Sequence, residues 1–427
     1  MTLSLFRNYW PLAALPILLF LFPWEAGAQT AAAGSPYSPV FEVEPRGRPD
    51  AILMKFRANQ VYDTNLAAGQ ETQFGGTYSN LEADITFTHQ QPGSVFMLTY
   101  RGGGNVYPQP QYSNLTTDSN SVRAQLRQTI TKRLNMDVSA DWGSVPGGAF
   151  AENASGQQFG SGDENEEFLA RRHVSEDVNL ALQYQTGAHT YFAWGGNVDD
   201  VRFEPSNLFA ASHSEDIYGA YFYQFTGAQT MSVGYSNQWI GFPGRGIHAQ
   251  VHNVLFTYSN AITHAITFNG YVGPAFEDET VRSISTGGGQ TITPSSQVNV
   301  IGGAALKWTV QHTNIVLRYD RMFTRGSGEA GTSLKQTAAV NFSDSLTRHI
   351  TLGLNANYVT NDLASFNGAN EASFQIRPTF RYHLRPGFWL TATESYVRAL
   401  RLVSGETEDR NVTMGGVEIE LPNIVLE

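Results

Sequence analysis

Between Ser333 and Tyr358 apolar and polar side chains alternate with a period of two, interrupted once. Leu334, Ala338, Val340 and Phe342 fall on one face, and Lys335, Thr337, Ala339 and Asn341 on the other. After a polar turn from Ser343 to His349, Ile350, Leu352, Leu354, Ala356 and Tyr358 oppose Thr351, Gly353, Asn355 and Asn357. A helix cannot sort residues this way, whereas a strand points successive side chains to opposite faces, so the stretch predicts a β-hairpin. Sandwiches alternate too. The hairpin by itself leaves open whether its apolar face meets a core or lipid.

Repetition separates the two. The pattern begins at Ala51 to Tyr62 and continues over Gly75 to His89, where Leu81, Ala83, Ile85 and Phe87 oppose Glu82, Asp84, Thr86 and Thr88. A Pro92-Gly93 turn leads to Phe96, Leu98 and Tyr100. The unit then returns at spacings of roughly 35 to 55 residues, with short turns near Thr131, Gly187, Gly227, Ala261, His312, Ser345 and Arg385. Longer polar connections lie between: Gly102 to Asn120, Gly143 to Phe168, Val201 to His213, Ile240 to Ile247, Pro274 to Ser296, Thr324 to Thr332, Thr360 to Ala369 and Val403 to Glu408. Short and long connections alternate strictly in this reading. Outer-membrane barrels sort their connections in this way, and sandwiches have no reason to. The prediction is an all-β chain forming a single transmembrane antiparallel up-and-down β-barrel of about 18 strands, with arms of about 10 to 14 residues.

Tyr100, Trp142, Tyr184, Tyr191, Trp194, Tyr223, Tyr235, Trp308, Tyr358, Tyr382, Phe388 and Trp389 stand near strand ends, where interfacial girdles are expected. Pro378 interrupts a regular strand and predicts a local bulge. At the N-terminus, Arg7 precedes an apolar run from Trp10 to Trp24, and Ala26-Gly27-Ala28 precede Gln29, which reads as a secretory signal peptide over residues 1–28. Residues 29–50 are rich in Ala, Pro, Ser and Gly and predict a flexible periplasmic leader, leaving 51–421 for the barrel. The expected location is the outer membrane of a diderm bacterium, with both termini periplasmic.

Composition narrows the chemistry. Only 15% of the 427 residues are charged and the formal net charge is −11, which speaks against a nucleic-acid partner. No Cys is present, so disulfides, thiolate metal sites and cysteine nucleophiles are excluded. His173, His248, His252, His264 and His349 are scattered, and no helical pair of histidines suggests a metal. His248 and His252 share a strand face and read as polar wall residues. Gly102-Gly103-Gly104 follows a strand but opens no helix, so it is no phosphate loop. We expect no enzyme activity, no cofactor and no metal.

A charge facing lipid at the midplane costs roughly 2 to 4 kcal/mol, so charged positions on alternating strands should face the lumen. This selects Glu82, Asp84, Arg101, Arg123, Arg127, Asp137, Asp141, Asp177, Lys307, Arg318, Asp320, Lys335, Arg377 and Arg381 as pore-lining candidates. Arg123 and Arg127 form one basic sector, and Lys335, Arg377 and Arg381 a later one. Both would attract anions unless Asp84, Asp137 and Asp141 neutralise the first. The acidic stretch from Ala151 to Glu167 has no apolar anchors and is expected to stay solvated outside the pore.

Val61-Tyr62-Asp63-Thr64-Asn65-Leu66 and Gly76-Thr77-Tyr78-Ser79-Asn80-Leu81, at the start of the alternating region, resemble the β-barrel porin family found beside exopolysaccharide genes. The resemblance covers roughly Ala51 to Leu421 in hairpin layout and implies an outer-membrane barrel with no catalytic residues. The expected role is passive passage of small polar or anionic solutes. An export pore or accessory protein for exopolysaccharide, and a plugged structural or adhesive barrel, are the alternatives. Expected partners are outer-membrane lipid, the barrel-assembly machinery and, under the second reading, a polysaccharide.

Overall fold

The computed structural model describes residues 50–64, 75–109, 117–145, 172–204, 211–284, 290–325, 331–363, 371–401, 407–422 and 424–426. The predicted signal peptide, nearly all of the leader, and Ala151 to Glu167 lie outside the described residues. The strands are β1 (Asp50–Asp63), β2 (Gly76–Gln91), β3 (Ser94–Val106), β4 (Thr117–Thr131), β5 (Leu134–Val145) and β6 (Arg172–Gln185). There follow β7 (Thr190–Glu204), β8 (Ser212–Thr226), β9 (Gln229–Phe242), β10 (Ile247–Ala261), β11 (Ile266–Ile284) and β12 (Gln290–Val310). The last are β13 (Thr313–Arg325), β14 (Thr332–Asp344), β15 (Ile350–Leu363), β16 (Glu371–Arg385), β17 (Phe388–Arg401), β18 (Thr407–Glu420) and the short β19 (Ile424–Leu426).

Each strand pairs antiparallel with its neighbours in sequence, and β1 closes the sheet against β18 from Lys55↔Glu420 to Asp63↔Val412. The result is the all-β, 18-stranded closed barrel that the alternation predicts. β19 prolongs the closing strand, with Ile424 opposite Ile52 and Leu426 opposite Asp50, so the sheet runs past the expected end at 421. Both ends of the strand series lie at the short-turn end, since Ala51 is opposite Thr88 close to the Pro92-Gly93 turn.

The turns at that end rest on two local devices. Gly93 and Gly387 take φ of +78° and +75° behind a proline, a combination that reverses the chain in two residues. At Thr131, Thr226, Thr263 and Thr347 the hydroxyl accepts backbone N–H bonds from two or three residues further on, which holds the turn without a glycine at positive φ.

Several expectations are corrected. Pro274 to Ser296 is mainly strand, not loop: β11 and β12 continue to Ile284 and from Gln290. Beyond the apolar band the outer face no longer meets lipid and can carry polar residues as the inner face does, so alternation disappears while pairing goes on. β9 and β10 are joined by only residues 243–246, with Gly244 and Gly246 at positive φ, so the strict alternation of short and long connections fails there. Pro378 causes no bulge. The β16–β17 ladder skips the rungs at Arg377 and Pro378 and resumes in the same register, because the missing N–H removes bonds without adding a residue. The register shift in that ladder falls at His383/Arg385, beside the turn.

The register also decides which aromatics face lipid. Tyr100, Trp142, Tyr184, Tyr223, Tyr235, Trp308 and Tyr358 are exposed on the convex face. Tyr191 and Trp389 have the opposite parity: Tyr191 stacks on Phe222 inside, and Trp389 lies beneath Arg381. Nearness to a strand end fixes height in the membrane but not the face.

Candidate functional site

The inner wall is the concave face, on which neighbouring side chains crowd one another and most of the buried polar groups are found. The register puts Glu82, Asp84, Arg101, Arg123, Arg127, Asp137, Asp141, Asp177, Lys307, Arg318, Asp320, Lys335, Arg377 and Arg381 all on this face. It brings only some together. Arg101 meets Asp84 at 2.6 Å, Arg127 meets Asp137 at 2.8 Å, Arg123 meets Asp141 at 3.6 Å, and Arg318 is bonded to Asp320. Asp177 accepts from Asn197 at 2.5 Å. Lys335 and Arg377 are buried in the wall, and Lys307 is exposed.

At the seam where β1 meets β18 the densest charge network forms, and sequence reasoning missed most of it. Arg57 reaches Glu82 at 3.3 Å, Asp84 at 3.1 Å and Glu418 at 3.1 Å; Arg381 reaches Glu418 at 2.5 Å, and Lys55 reaches Glu420 at 3.3 Å. Four cations thus face four carboxylates when Arg101 is included. Higher up, Arg410 grips Asp63 with two nitrogens at 2.6 and 3.1 Å, beside Val61, Tyr78 and Val412. Next to it Asn59 donates to Asn80 at 3.1 Å and Asn80 to Asn105 at 3.0 Å, an amide ladder across β1, β2 and β3. Lys55, Arg57 and Glu418 alternate with apolar residues just as the predicted fourteen do, so the same rule finds them. Arg410 follows Asp409, and two charged neighbours hide the parity.

The opposite arc is apolar. Ala193 on β7, Ala220 and Phe222 on β8, Val251 and Leu255 on β10, Tyr271 and Ala275 on β11 and Ile301 on β12 form one buried cluster, although all face inward. Tyr271 donates to Asp320 at 3.1 Å, and a Cβ at Gly303 would lie 2.6 Å from the Tyr271 ring and 2.7 Å from an Asp320 oxygen, so this rung admits only glycine. Gly303→Val is expected to break that hydrogen bond and lower the unfolding temperature of the folded barrel, as measured by heat-modifiable gel mobility.

Phe323 and Leu334 join the same cluster, which their parity does not allow in a regular wall: both should face lipid. They are there because the end of β13 and the start of β14 leave the wall. Pairing of β12 with β13 stops at Gly302↔Arg321, and Thr332 beyond it donates to Glu277 on the inner face of β11, a carboxylate that also accepts from Gln297 of β12. Phe323, Thr332 and Leu334 therefore lie across the inner surface of β12. Leu334, predicted on the lipid face, is buried inside the barrel for this reason. A strand tilted by about 40° climbs about 2.5 Å along the axis per residue. The parting thus lies about 20 Å from the short-turn end, near the top of an apolar band about 25 Å tall.

His248 and His252 point to the outer face, where the Tyr235 hydroxyl meets His252 Nδ1 at 2.7 Å, so they belong to the rim and not to the lumen. Among the described residues no group of three or more His, Asp or Glu is arranged to hold a metal.

No protein-family model matches the sequence, and no curated protein matches it. Among solved structures, the chain is similar in shape to OccAB4 of Acinetobacter baumannii, with 10% identity and a TM-score of 0.46 over 90% of this chain and 100% of that one. The outer membrane protein OpdK of Pseudomonas aeruginosa matches with 8% identity and a TM-score of 0.41 over 87% and 99%. OpdQ of the same species matches with 11% identity and a TM-score of 0.44 over 87% and 98%.

Proposed function

We propose that the protein is an outer-membrane channel for passive passage of small polar solutes, with its short turns and both chain ends in the periplasm. The observation that carries this is the pairing of a closed 18-stranded barrel with a charged, amide-rich inner wall and an apolar, aromatic outer one. Barrels of 16 to 18 strands are wide enough to enclose water, and such an outer face is stable only against lipid. Lipid and the machinery that inserts barrels are the partners this reading implies. Reconstitution in planar bilayers should give discrete conductance steps in salt; a protein that inserts and never conducts would overturn the reading.

Selectivity follows from how the wall charges pair. Arg123 and Arg127 are each matched by a carboxylate, so the first basic sector contributes little anion attraction. In the seam the balance hangs on Arg57. Arg57→Gln leaves Glu82, Asp84 and Glu418 with one cation fewer, and the reversal potential under a salt gradient should move toward cation preference. An unchanged potential in well-inserted channels would remove the seam from the permeation path.

Orientation is testable because the chain has no cysteine of its own. Arg245→Cys, in the β9–β10 turn, should react with an impermeant thiol reagent on intact cells, whereas Leu346→Cys, in the β14–β15 turn, should not. Equal labelling would refute the assigned orientation.

A second reading, a conduit for an acidic polysaccharide, draws on the lumenal arginines Arg123, Arg127 and Arg381, whose side chains stay two-fifths or more exposed although each meets a carboxylate. It is distinguished by current block: an acidic polysaccharide added to one side should interrupt conductance at concentrations where its monosaccharides have no effect.

A further inference from the structure

Gly302↔Arg321 is the last rung between β12 and β13, yet both strands continue, β12 back to Gln290 and β13 on to Arg325. Carried on in the same register, the next rungs would join Ile301 to Met322, Val300 to Phe323 and Asn299 to Thr324. Every side chain suits that continuation. Ile301, Met322, Asn299 and Thr324 have lumenal parity, whereas Val300 and Phe323 have the parity of the lipid face. The sequence is thus patterned for a ladder that is not formed, and Val300 is 61% exposed on the lipid face.

We propose that the end of β13 and the start of β14, residues 322–324 and 332–334, form a gate with two seats. In the inward seat, Phe323 and Leu334 pack against the apolar arc around Tyr271 and Ile301, Thr332 is held by Glu277, and the outer end of the lumen is narrowed. In the wall seat, residues 322–324 zip onto 301–299, Phe323 lies beside Val300 against lipid, and the lumen widens. Glu277 keeps Gln297 in either case. The exchange is balanced in kind: one side-chain hydrogen bond and apolar packing are given up for backbone rungs and apolar contact with lipid. β14 remains paired to β15 as far as Ser333↔Leu363, so the end of β15 moves with the start of β14. Pro294, with no N–H to offer, makes the upper part of the β12 edge a poor template for a foreign strand and leaves 299–301 as the seat.

Two cysteine pairs in the full-length protein test this. Asn299→Cys with Thr324→Cys traps the wall seat, because opposed residues on paired strands approach within disulfide reach. Glu277→Cys with Thr332→Cys traps the inward seat. With folding verified by heat-modifiable mobility, both pairs should cross-link under mild oxidation. The first should then raise single-channel conductance at least twofold over its reduced form, and the second should not raise it. Val300→Cys with Phe323→Cys, on the lipid side, replaces the first pair if that variant does not fold. A wall-seat pair that stays reduced while the inward pair closes fully would overturn the proposal, as would closure without change in a measurable conductance. The conductance readout rests on the channel reading and the cross-link does not. If no variant conducts, the channel reading fails while the cross-link still decides between one seat and two.

Discussion

Replacing Arg410 by Met is expected to cost about 3 to 5 kcal/mol of folded-state stability, the range for breaking a buried ion pair from one side. Arg410 is 4% exposed and Asp63 1% exposed, and the guanidinium approaches the carboxylate through two nitrogens, so little solvent screens the contact. The loss comes mainly from stranding the Asp63 carboxylate among Val61, Tyr78 and Val412. The urea midpoint of the refolded barrel measures the effect. Asp63→Leu combined with Arg410→Met removes both charges, and the double variant should recover most of the lost stability. A double variant as weak as the single would show that the pair is not the cause.

Leu354→Arg should hinder barrel assembly by about 2 to 4 kcal/mol, the cost of an arginine on the lipid face near the midplane. Asn355→Arg, one residue along, should cost far less. Leu354 sits opposite Phe342 and Pro378 on the outer wall, whereas Asn355 faces inward and donates to Asn341. The yield of heat-modifiable folded protein reports the difference; equal yields from the two variants would refute the assignment of faces.

How far the sequence carries can be judged at particular residues. Alternation is local, so the faces of Leu81 and Glu82, or of Leu354 and Asn355, are legible within one strand. It fails where its cause ceases. Asp278 and Thr280 look like loop because β11 carries polar residues on both faces there, Glu277 and Glu279 inward and Asp278 and Thr280 outward, yet the ladder runs on to Ile284. Nearness to a strand end gives Tyr191 and Trp389 a height and no face, and only the cross-strand register turns them inward. Arg57 and Glu418 are 361 positions apart, and no spacing rule joins residues that meet only when the barrel closes. The inward ends of β13 and β14 are the least legible feature. Phe323 and Leu334 carry lipid-face parity, so the local pattern describes the wall position while the chain occupies another.

The seam has a consequence for the order of events during folding. Every other ladder joins strands consecutive in the chain, so β1 alone must wait for partners made last. Until then the barrel is an open sheet with two sticky edges, and each could pair with the same edge of another copy. The inward charges oppose this. Over the middle of the seam the first edge carries Lys55 and Arg57, and the last carries Glu418 and Glu420. In that stretch two first edges repel each other, as do two last edges, while first and last attract; higher up the signs are reversed, with Asp63 on the first edge and Arg410 on the last. The charges that line the finished lumen thus also act earlier, as a polarity code that steers the unfinished sheet away from its twin and toward its own far end.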